Sequence, residues 1–212
     1  MSAPQSYYVP VDAGEAEFTE KRSRFLGHVR RVETEAEARA FLDEMRKKYY
    51  DARHNCWCYV LHEVGVVRYG DDGEPQGTAG QPMLNVFQRE GVENVVCVVT
   101  RYFGGVLLGA GGLTRAYAKS AKDALDAAGK ARMRLWSAVT VDCPYPMLER
   151  LKLLAAAHGG TVEGTDFGAA VSVRILLPQE NAAGFDAALT ELSAGTMTAR
   201  REGERFLPGP RE

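Results

Sequence analysis

Three carboxylates stand close together in the loop "YGDDGEPQGTAGQP", residues 69–82. Asp71, Asp72 and Glu74 lie within four residues, on a turn that leads into a predicted helix. Carboxylate oxygens in such a group can bind a divalent cation or cap a polar partner, although the spacing is not that of an EF-hand. An ordinary turn is the alternative, because Asp-Gly is a frequent turn dipeptide and acids near a helix start complement its dipole. Composition favours the turn, and we predict no metal site.

A second polar stretch is rich in glycine and contains two arginines. Residues 98–125 are "VVTRYFGGVLLGAGGLTRAYAKSAKDAL". They run from a predicted buried strand through a loop with five glycines into a helix whose inner face carries small side chains. Arg101, directly after the strand, and Arg115, in the first turn of the helix, would suit a phosphate or carboxylate together with free N–H groups. Alternatively, the glycines form a tight turn and Arg101 pairs with Asp71 or Asp72. Both interpretations can hold together.

Neither nucleotide-binding fingerprint is complete in this stretch. Gly104 and Gly109 have the outer spacing of a P-loop, but Ala110 and Gly111 stand where the lysine and the hydroxyl residue belong. Gly109 and Gly111 also fit the first two glycines of a dinucleotide fingerprint, but Thr114 replaces the third. We therefore expect no nucleotide cofactor, and no other cofactor is predicted.

Other side chains near the two loops could also do chemistry. His54 and Asn55 begin a predicted central strand, and a histidine beside carboxylates could act as a general base, although a histidine at a strand edge is more often structural. Tyr102 and Phe103 could stack on a base, although aromatic residues after a strand are more often core. The chain has no G-x-S-x-G motif and its four cysteines look buried, so a nucleophilic hydrolase has little support.

Composition is that of an ordinary globular chain of 212 residues, 45% hydrophobic and 25% charged, with a net charge of -2. It has no apolar run long enough to span a membrane, and residues 1–10 lack the features of a secretory signal, so we expect a cytoplasmic protein. Neither half is strongly basic, and binding to nucleic acid would need a local patch. One cluster, which could equally be a solvated strand face, contains Lys21, Arg22, Arg24, Arg30 and Arg31.

Periodicity places the two loops in an α+β fold. The first half has predicted strands at residues 15–19, 23–32, 55–62, 64–69 and 94–100. A capping box formed by Thr34 and Glu37 begins one helix, and a second helix begins near Thr78 or Pro82, where Thr78 and Gln81 could form another box. Because each polar loop follows one strand of the same sheet, we predict that the two loops meet and form one polar site.

The pattern restarts beyond Gly129. A strand (133–141), a helix (146–158), two strands (161–166 and 171–177), a helix (179–192) and a last strand (196–206) follow in order. The order β-α-β-β-α-β is typical of the split β-α-β, or ferredoxin-like, domain. We therefore predict two domains, 1–130 and 131–212.

Four segments in the first 125 residues resemble the IMPACT/YigZ family. They are "KRSRFLGHV", "ARHNCWCYV", "DDGEPQGTAGQPML" and "NVVCVVTRYFGGVLLGAGGLTRAYAKSA". The resemblance implies an N-terminal domain of the ribosomal protein S5 domain 2-like fold, an α+β sandwich also found in domain IV of translocation factor G. The second half is similar to the ferredoxin-like domain of bacterial members. Eukaryotic members regulate translation by binding the ribosome-associated activator of a starvation-responsive kinase.

The resemblance also assigns motif positions in both loops. They are His54, Asn55, Asp71, Asp72, Gly73, Glu74, Gly77, Thr78, Arg101, Tyr102, Phe103, Gly104, Gly105, Gly109, Gly111, Gly112 and Arg115. We treat them as candidate ligand-binding residues, with no catalytic role assigned. The leading hypothesis is an RNA- or ribosome-associated binding protein that regulates translation, with a regulatory protein as another possible partner. The alternatives are an enzyme acting on a small anionic or phosphorylated substrate near Asp71 and Arg101, and a protein-interaction module. Oligomeric state is open.

Overall fold

The computed structural model describes residues 7–212. Residues 1–6, which belong to the first predicted domain and to the stretch without a secretory signal, lie outside the described residues. The chain divides into two compact units: one contains the chain up to Met133 together with Pro208–Glu212, and the other is Arg134–Leu207. Both contain helices and strands, which makes the chain α+β, as predicted. No helix of the described part is long and apolar enough to cross a membrane.

The first unit is built on an antiparallel sheet. Its elements are β1 (Tyr8–Pro10), β2 (Gly14–Glu20), β3 (Ser23–Arg31), α1 (Glu35–Lys48), β4 (His54–Leu61), β5 (Val66–Gly70), α2 (Gly80–Glu90), β6 (Val95–Tyr102) and α3 (Ala110–Ala128). Five strands follow the order β2-β3-β6-β4-β5. β4 and β6 are therefore interior strands, as the apolar residues on both faces of β4 predict.

Helices cover both faces of this sheet. On one face α1 packs through Phe41 and Leu42 against β4 and β6. On the other face α2 packs through Met83 and Phe87, and α3 through Tyr117, against the same strands and β3. The four cysteines are buried, as expected, in these cores and in that of the second unit, and all four are free thiols.

The small inner face of α3 lets this helix lie very close to the sheet. A Cβ atom on Gly27 of β3 would stand 2.5 Å from the Ser120 carbonyl oxygen, and one on Gly14 would stand 2.0 Å from the Ala124 carbonyl oxygen. A larger side chain at either glycine would move α3 outwards. Close packing thus fixes the position of the glycine loop that precedes the helix.

The two predicted capping boxes have different outcomes. Thr34 caps α1: its hydroxyl accepts the Glu37 N–H, and the Glu37 carboxylate accepts the Thr34 N–H, so this prediction is confirmed. The box of Thr78 and Gln81 is wrong, because α2 begins at Gly80 and no side chain at its N-cap accepts a hydrogen bond.

The second unit follows the predicted order of elements. They are β7 (Lys130–Cys143), α4 (Leu148–Ala157), β8 (Thr161–Phe167), β9 (Val171–Pro178), α5 (Ala182–Ser193) and β10 (Ala199–Arg211), although the first residues of β7 and the last residues of β10 belong to the first unit. β9 pairs antiparallel with β7 and β8, and β10 also pairs with β7. Leu151 of α4 and Phe185 of α5 pack in the core against β9. The first and last strands are longer than the sequence pattern predicts.

Candidate functional site

The two polar loops meet at one end of the sheet, as predicted. One runs from β5 to α2 and the other from β6 to α3, and Arg101 Nη1 donates to Glu74 Oε1 at 2.6 Å between them. The expected pairing of Arg101 with Asp71 or Asp72 is therefore wrong. Arg101 also lies within β6 rather than directly after it, because the ladder to β3 and β4 continues through this residue.

The Arg101–Glu74 ion pair is buried, with side-chain exposures of 5% and 4%. The Tyr117 hydroxyl donates to the same Glu74 oxygen at 2.8 Å, and Arg101 Nη2 donates to Ser23 Oγ at 3.2 Å. Burial, and then the neighbouring Cys56 and Glu74, raise the pKa of Tyr117 far above its ordinary value, so the phenol stays a neutral donor. A buried charge without its partner is costly. The ion pair therefore ties the two loops together.

The two aspartates of the first loop bond to the backbone. Asp71 Oδ1 accepts hydrogen bonds from the N–H groups of Ala79 and Gly80, at 3.1 and 2.8 Å. Asp71 therefore caps α2, although it lies nine residues before the first residue of that helix. Asp72 Oδ2 accepts the Asn55 N–H at 2.7 Å. Among the described residues no group of three or more His, Cys, Asp or Glu side chains could hold a metal ion.

His54 begins β4 and lies against the first loop. Its Nδ1 is 2.8 Å from the Asp72 carbonyl oxygen. Because a carbonyl oxygen only accepts, Nδ1 carries the proton and Nε2 of the neutral ring is an acceptor. Nε2 is 3.9 Å from Glu74 Oε1, too far for a hydrogen bond, and the side chain is 10% exposed. Gly73, beside the ring, has a φ of +84°, a backbone conformation that favours glycine.

Two other candidate residues, Asn55 and Thr78, and the neighbouring Cys56 make hydrogen bonds that hold this arrangement in place. Thr100 Oγ1 donates to Asn55 Oδ1 at 2.7 Å, and Thr78 Oγ1 donates to a main-chain carbonyl of its own loop. The Cys56 thiol donates to the Asp71 carbonyl oxygen, and burial raises the pKa of this thiol far above its ordinary value. Cys56 is therefore a protonated packing residue and not a nucleophile.

Gly104 is required by the close approach of another loop. A Cβ there would stand 2.0 Å from both the carbonyl carbon and the carbonyl oxygen of Arg22, and the Gly104 N–H donates to Ser23 Oγ. Gly105 and Gly109 have φ values of +83° and +72°. The glycine loop thus bends tightly against the hairpin of β2 and β3.

α3 begins at Ala110 without a side-chain cap. Gly109 is its N-cap, and Gly111 and Gly112 complete the first turn. The first N–H groups of a helix have no acceptor within it and carry a partial positive charge. Arg115, predicted in the first turn, lies in the second turn and is exposed. The start of α3 is therefore a weakly positive surface.

A cleft of about 380 Å³ lies where the two loops meet, and we call it the loop cleft. Its lining includes the polar side chains His54, Glu74 and Arg101, the apolar side chains Phe103, Leu107, Leu108 and Leu113, and Arg53, Gly109 and Ala110. The loop cleft thus has an apolar wall, the Nε2 atom of His54 as a hydrogen-bond acceptor and the N-terminus of α3.

The two candidate aromatic residues differ in their surroundings. The Tyr102 hydroxyl donates to Asp51 Oδ1 at 2.8 Å. Phe103 is 38% exposed at the loop cleft. The guanidinium carbons of Arg101 and Arg53 lie 5.4 and 5.8 Å from its ring centroid, so a buried guanidinium and an exposed one both lie near this ring.

Four exposed cations, which we call the cationic rim, lie around the loop cleft and the start of α3. They are Lys21, Arg22, Arg53 and Arg115. In the part of the chain that the structure describes, none of them has a carboxylate oxygen within 4.0 Å. Lys21 and Arg115 line a smaller cavity of about 150 Å³ beside the loop cleft, together with the exposed Glu20. The rim is positive in a chain whose net charge is -2.

Two rim residues occupy a strained turn. Lys21 and Arg22 form the two-residue loop between the paired Glu20 and Ser23, with φ values of +44° and +67°. Such hairpin turns favour Asn-Gly, because both central residues are left-handed. The left-handed conformation costs an L-residue about 1–2 kcal/mol. Two bulky basic residues in a two-residue hairpin loop are the pattern from which sequence analysis could have found this part of the rim.

Residues 21–125 match the family model described as "Impact N-terminal domain", and residues 141–196 match one described as "Domain of unknown function (DUF1949)". The chain is 36% identical to "IMPACT family member YvyE" of Bacillus subtilis (strain 168), over 94% of this chain and 92% of that protein. The chain belongs to the IMPACT family. The resemblance drawn from the sequence is thus confirmed, and the first match contains every residue of the IMPACT loop cleft and its rim.

Other IMPACT proteins match over different lengths. "IMPACT family member YigZ" of Escherichia coli (strain K12) is 35% identical over 84% of this chain and 88% of its own. "Protein IMPACT" of Rattus norvegicus is 32% identical over 51% of this chain and 35% of its own. A solved structure entitled "Crystal structure of an hypothetical protein" has a TM-score of 0.59 and 32% identity, over 94% of this chain and 97% of that one.

Proposed function

We propose that this IMPACT protein binds RNA, free or within the ribosome, through the cationic rim, and that it regulates translation in the cytoplasm. The observation that carries the proposal is the convergence of four exposed cations around the loop cleft and the start of α3, none of which has a carboxylate partner among the described residues. Phosphate groups bind to lysine and arginine through charge, and cations that already pair with carboxylates would have to give up that partner first.

Strain in the β2–β3 turn supports the same conclusion. Lys21 and Arg22 hold left-handed conformations that Asn and Gly would adopt at lower cost. Strained residues are concentrated at functional sites. Keeping two basic side chains at this turn is therefore understandable if the side chains have a ligand.

An enzymatic function near Asp71 and Arg101 has less support. Arg101 pairs with Glu74 and also donates to Ser23, and the Asp71 carboxylate accepts the N–H groups that begin α2. These groups would have to break existing hydrogen bonds before they could act on a substrate. The rim cations, by contrast, have no carboxylate partner among the described residues and could bind a ligand without losing one.

We also infer the finer fold assignment from the order of strands. The first unit is assigned to the ribosomal protein S5 domain 2-like sandwich, and the second to the ferredoxin-like fold. The order β10-β7-β9-β8 in the second unit, with two helices and the sequence β-α-β-β-α-β, supports the latter. We place the domain boundary near residue 130. Both folds are implied by the resemblance to a family of translation regulators.

The test is co-sedimentation with ribosomes and with purified RNA over about 50 to 200 mM salt. We expect wild-type protein to sediment with RNA at low salt, and Arg53→Ala and Arg115→Ala to sediment less. Lys47→Ala is the matched control, because Lys47 is exposed, has no carboxylate partner among the described residues and lies on α1, which covers the other face of the sheet. Absence of binding at low salt, or equal loss in the Lys47 control, would contradict the proposal.

A further inference from the structure

We infer that the loop cleft binds a single unstacked nucleotide of single-stranded RNA and recognises the ribose 2′-hydroxyl through His54. The inference rests on the proposed function: the cationic rim holds the phosphate backbone, and the loop cleft takes one residue of the chain. The volume of the cleft, about 380 Å³, falls in the range of pockets that take small ligands. A nucleotide is a ligand of that size.

The apolar side of the cleft supplies a surface for the base. Phe103 is 38% exposed and Leu107 is 82% exposed. Unpaired RNA bases stack on aromatic rings and on the planes of arginine guanidinium groups, and Arg53 lies beside the Phe103 ring. An exposed phenylalanine beside an exposed arginine that has no carboxylate partner in the described part of the chain is a surface of this kind.

The helix end of the cleft supplies a place for a phosphate. Gly109 and Ala110 line it, and the first N–H groups of α3 are without a side-chain cap. A helix N-terminus attracts an anion through its N–H groups and its dipole. Arg53, which lines the same cleft, adds a full positive charge. Arg53 therefore lies both at the place proposed for the phosphate and beside the ring on which the base would stack.

His54 supplies the polar recognition. Its side chain is nine-tenths buried and lines the cleft, yet Nε2 makes no hydrogen bond within the described residues. Since Nδ1 donates to the Asp72 carbonyl oxygen, Nε2 of the neutral ring accepts. An alcohol hydroxyl is the group in a nucleotide sugar that can donate to it, and the 2′-hydroxyl distinguishes RNA from DNA. The base and phosphate contacts do not make this distinction.

The experiment compares fluorescein-labelled ten-nucleotide oligouridylate with oligodeoxyuridylate of the same length, which differ only in the 2′-hydroxyl. Affinities of the full chain are measured by fluorescence anisotropy at several salt concentrations. We expect wild-type protein to bind the RNA about five-fold more tightly, the worth of one hydrogen bond. We expect Phe103→Ala to weaken both by about ten-fold with an unchanged salt dependence. Phe167→Ala, an exposed aromatic residue of the second unit, is the control.

Two substitutions separate the nitrogen atoms of His54. The amide of His54→Asn can still donate to the Asp72 carbonyl oxygen but places nothing at the Nε2 position, whereas the longer His54→Gln reaches that position with an acceptor. We expect the RNA preference to vanish in His54→Asn and to persist in His54→Gln, with melting temperatures checking that both fold.

The outcomes distinguish this inference from the proposed function. Equal binding of the two oligonucleotides, or an unchanged affinity in Phe103→Ala, with salt-sensitive binding intact, would overturn the cleft inference and leave the rim proposal standing. No binding of either oligonucleotide at low salt would overturn both. An RNA preference that survives in His54→Asn would also overturn the assignment of His54.

Discussion

Replacing the turn Lys21–Arg22 by Asn–Gly should stabilise this protein while weakening its binding to RNA. The φ values of +44° and +67° are left-handed, which costs each L-residue about 1–2 kcal/mol. Glycine has no such cost, although its freedom in the unfolded chain costs about 0.5–1 kcal/mol, and asparagine tolerates the conformation better than lysine. We therefore expect Lys21→Asn/Arg22→Gly to raise the free energy of unfolding by about 1 kcal/mol.

Two measurements on this variant test the predicted gain in stability and the predicted loss of RNA binding. Thermal unfolding should show a melting temperature about 3 °C higher, since 1 kcal/mol shifts a chain of this size by about 2–4 °C. Binding to oligouridylate should show a smaller salt dependence: each lost phosphate contact removes about 0.7 from the slope of log K against log salt. Loss of both contacts should reduce the slope by about 1.4.

The control removes the same charge elsewhere. Lys47→Ala/Arg89→Ala takes away two exposed cations that have no carboxylate partner among the described residues, and it should leave the slope unchanged. A variant at the turn that is less stable than wild type would refute the assignment of strain. A variant that is more stable but keeps the wild-type slope would refute the role of Lys21 and Arg22 in binding.

Three further predictions concern the buried ion pair, the glycine loop and pH. Glu74→Gln should lower the free energy of unfolding by about 3–5 kcal/mol, because it leaves the buried Arg101 charge unpaired; urea unfolding measures this, and a loss below about 1 kcal/mol would contradict it. Gly104→Ala should destabilise more than Gly105→Ala, since only the former meets a backbone at 2.0 Å, and equal melting temperatures would disprove the contact. Burial lowers the pKa of His28, an effect that Glu15 opposes and Lys48 strengthens. The unfolded chain therefore binds the proton more readily, and the free energy of unfolding falls as pH drops below about 6.5. His28→Asn should make the free energy of unfolding less dependent on pH, and an unchanged pH profile would show that His28 is not the cause.

Much of the fold could be predicted because its signals are local. The capping box of Thr34 and Glu37 and the apolar residues on both faces of β4 need no knowledge of distant contacts. The meeting of the two loops also followed from strand order, because β4, β5 and β6 are neighbours in one sheet. The small residues of α3 predicted its close approach for the same reason.

The pairings inside the site could not be predicted, because they depend on where side chains point after folding. Three acids within four residues leave the partner of Arg101 undecided. Asp71 turns towards the N–H groups that begin α2, which leaves Glu74 to reach Arg101. The same contact explains why Thr78 does not cap α2. A carboxylate from earlier in the chain displaced the local motif.

The rim is hidden from sequence analysis by distance along the chain. Its members come from the β2–β3 turn, from the residue before β4 and from the second turn of α3. The sequence shows Lys21 and Arg22 as part of a basic cluster, but nothing in it joins them to Arg53 or Arg115. Only the fold brings together Lys21, Arg22, Arg53 and Arg115, and only the structure distinguishes cations with a carboxylate partner from those without one.

The salt dependence of RNA binding tests the central claim most directly. Wild-type protein and the variant Lys21→Ala/Arg22→Ala/Arg53→Ala/Arg115→Ala are titrated with oligouridylate at several salt concentrations. Four phosphate contacts predict a wild-type slope of log K against log salt of about -3 and a variant slope near zero. If the variant keeps the wild-type slope while remaining folded, the cationic rim is not where this IMPACT protein binds RNA.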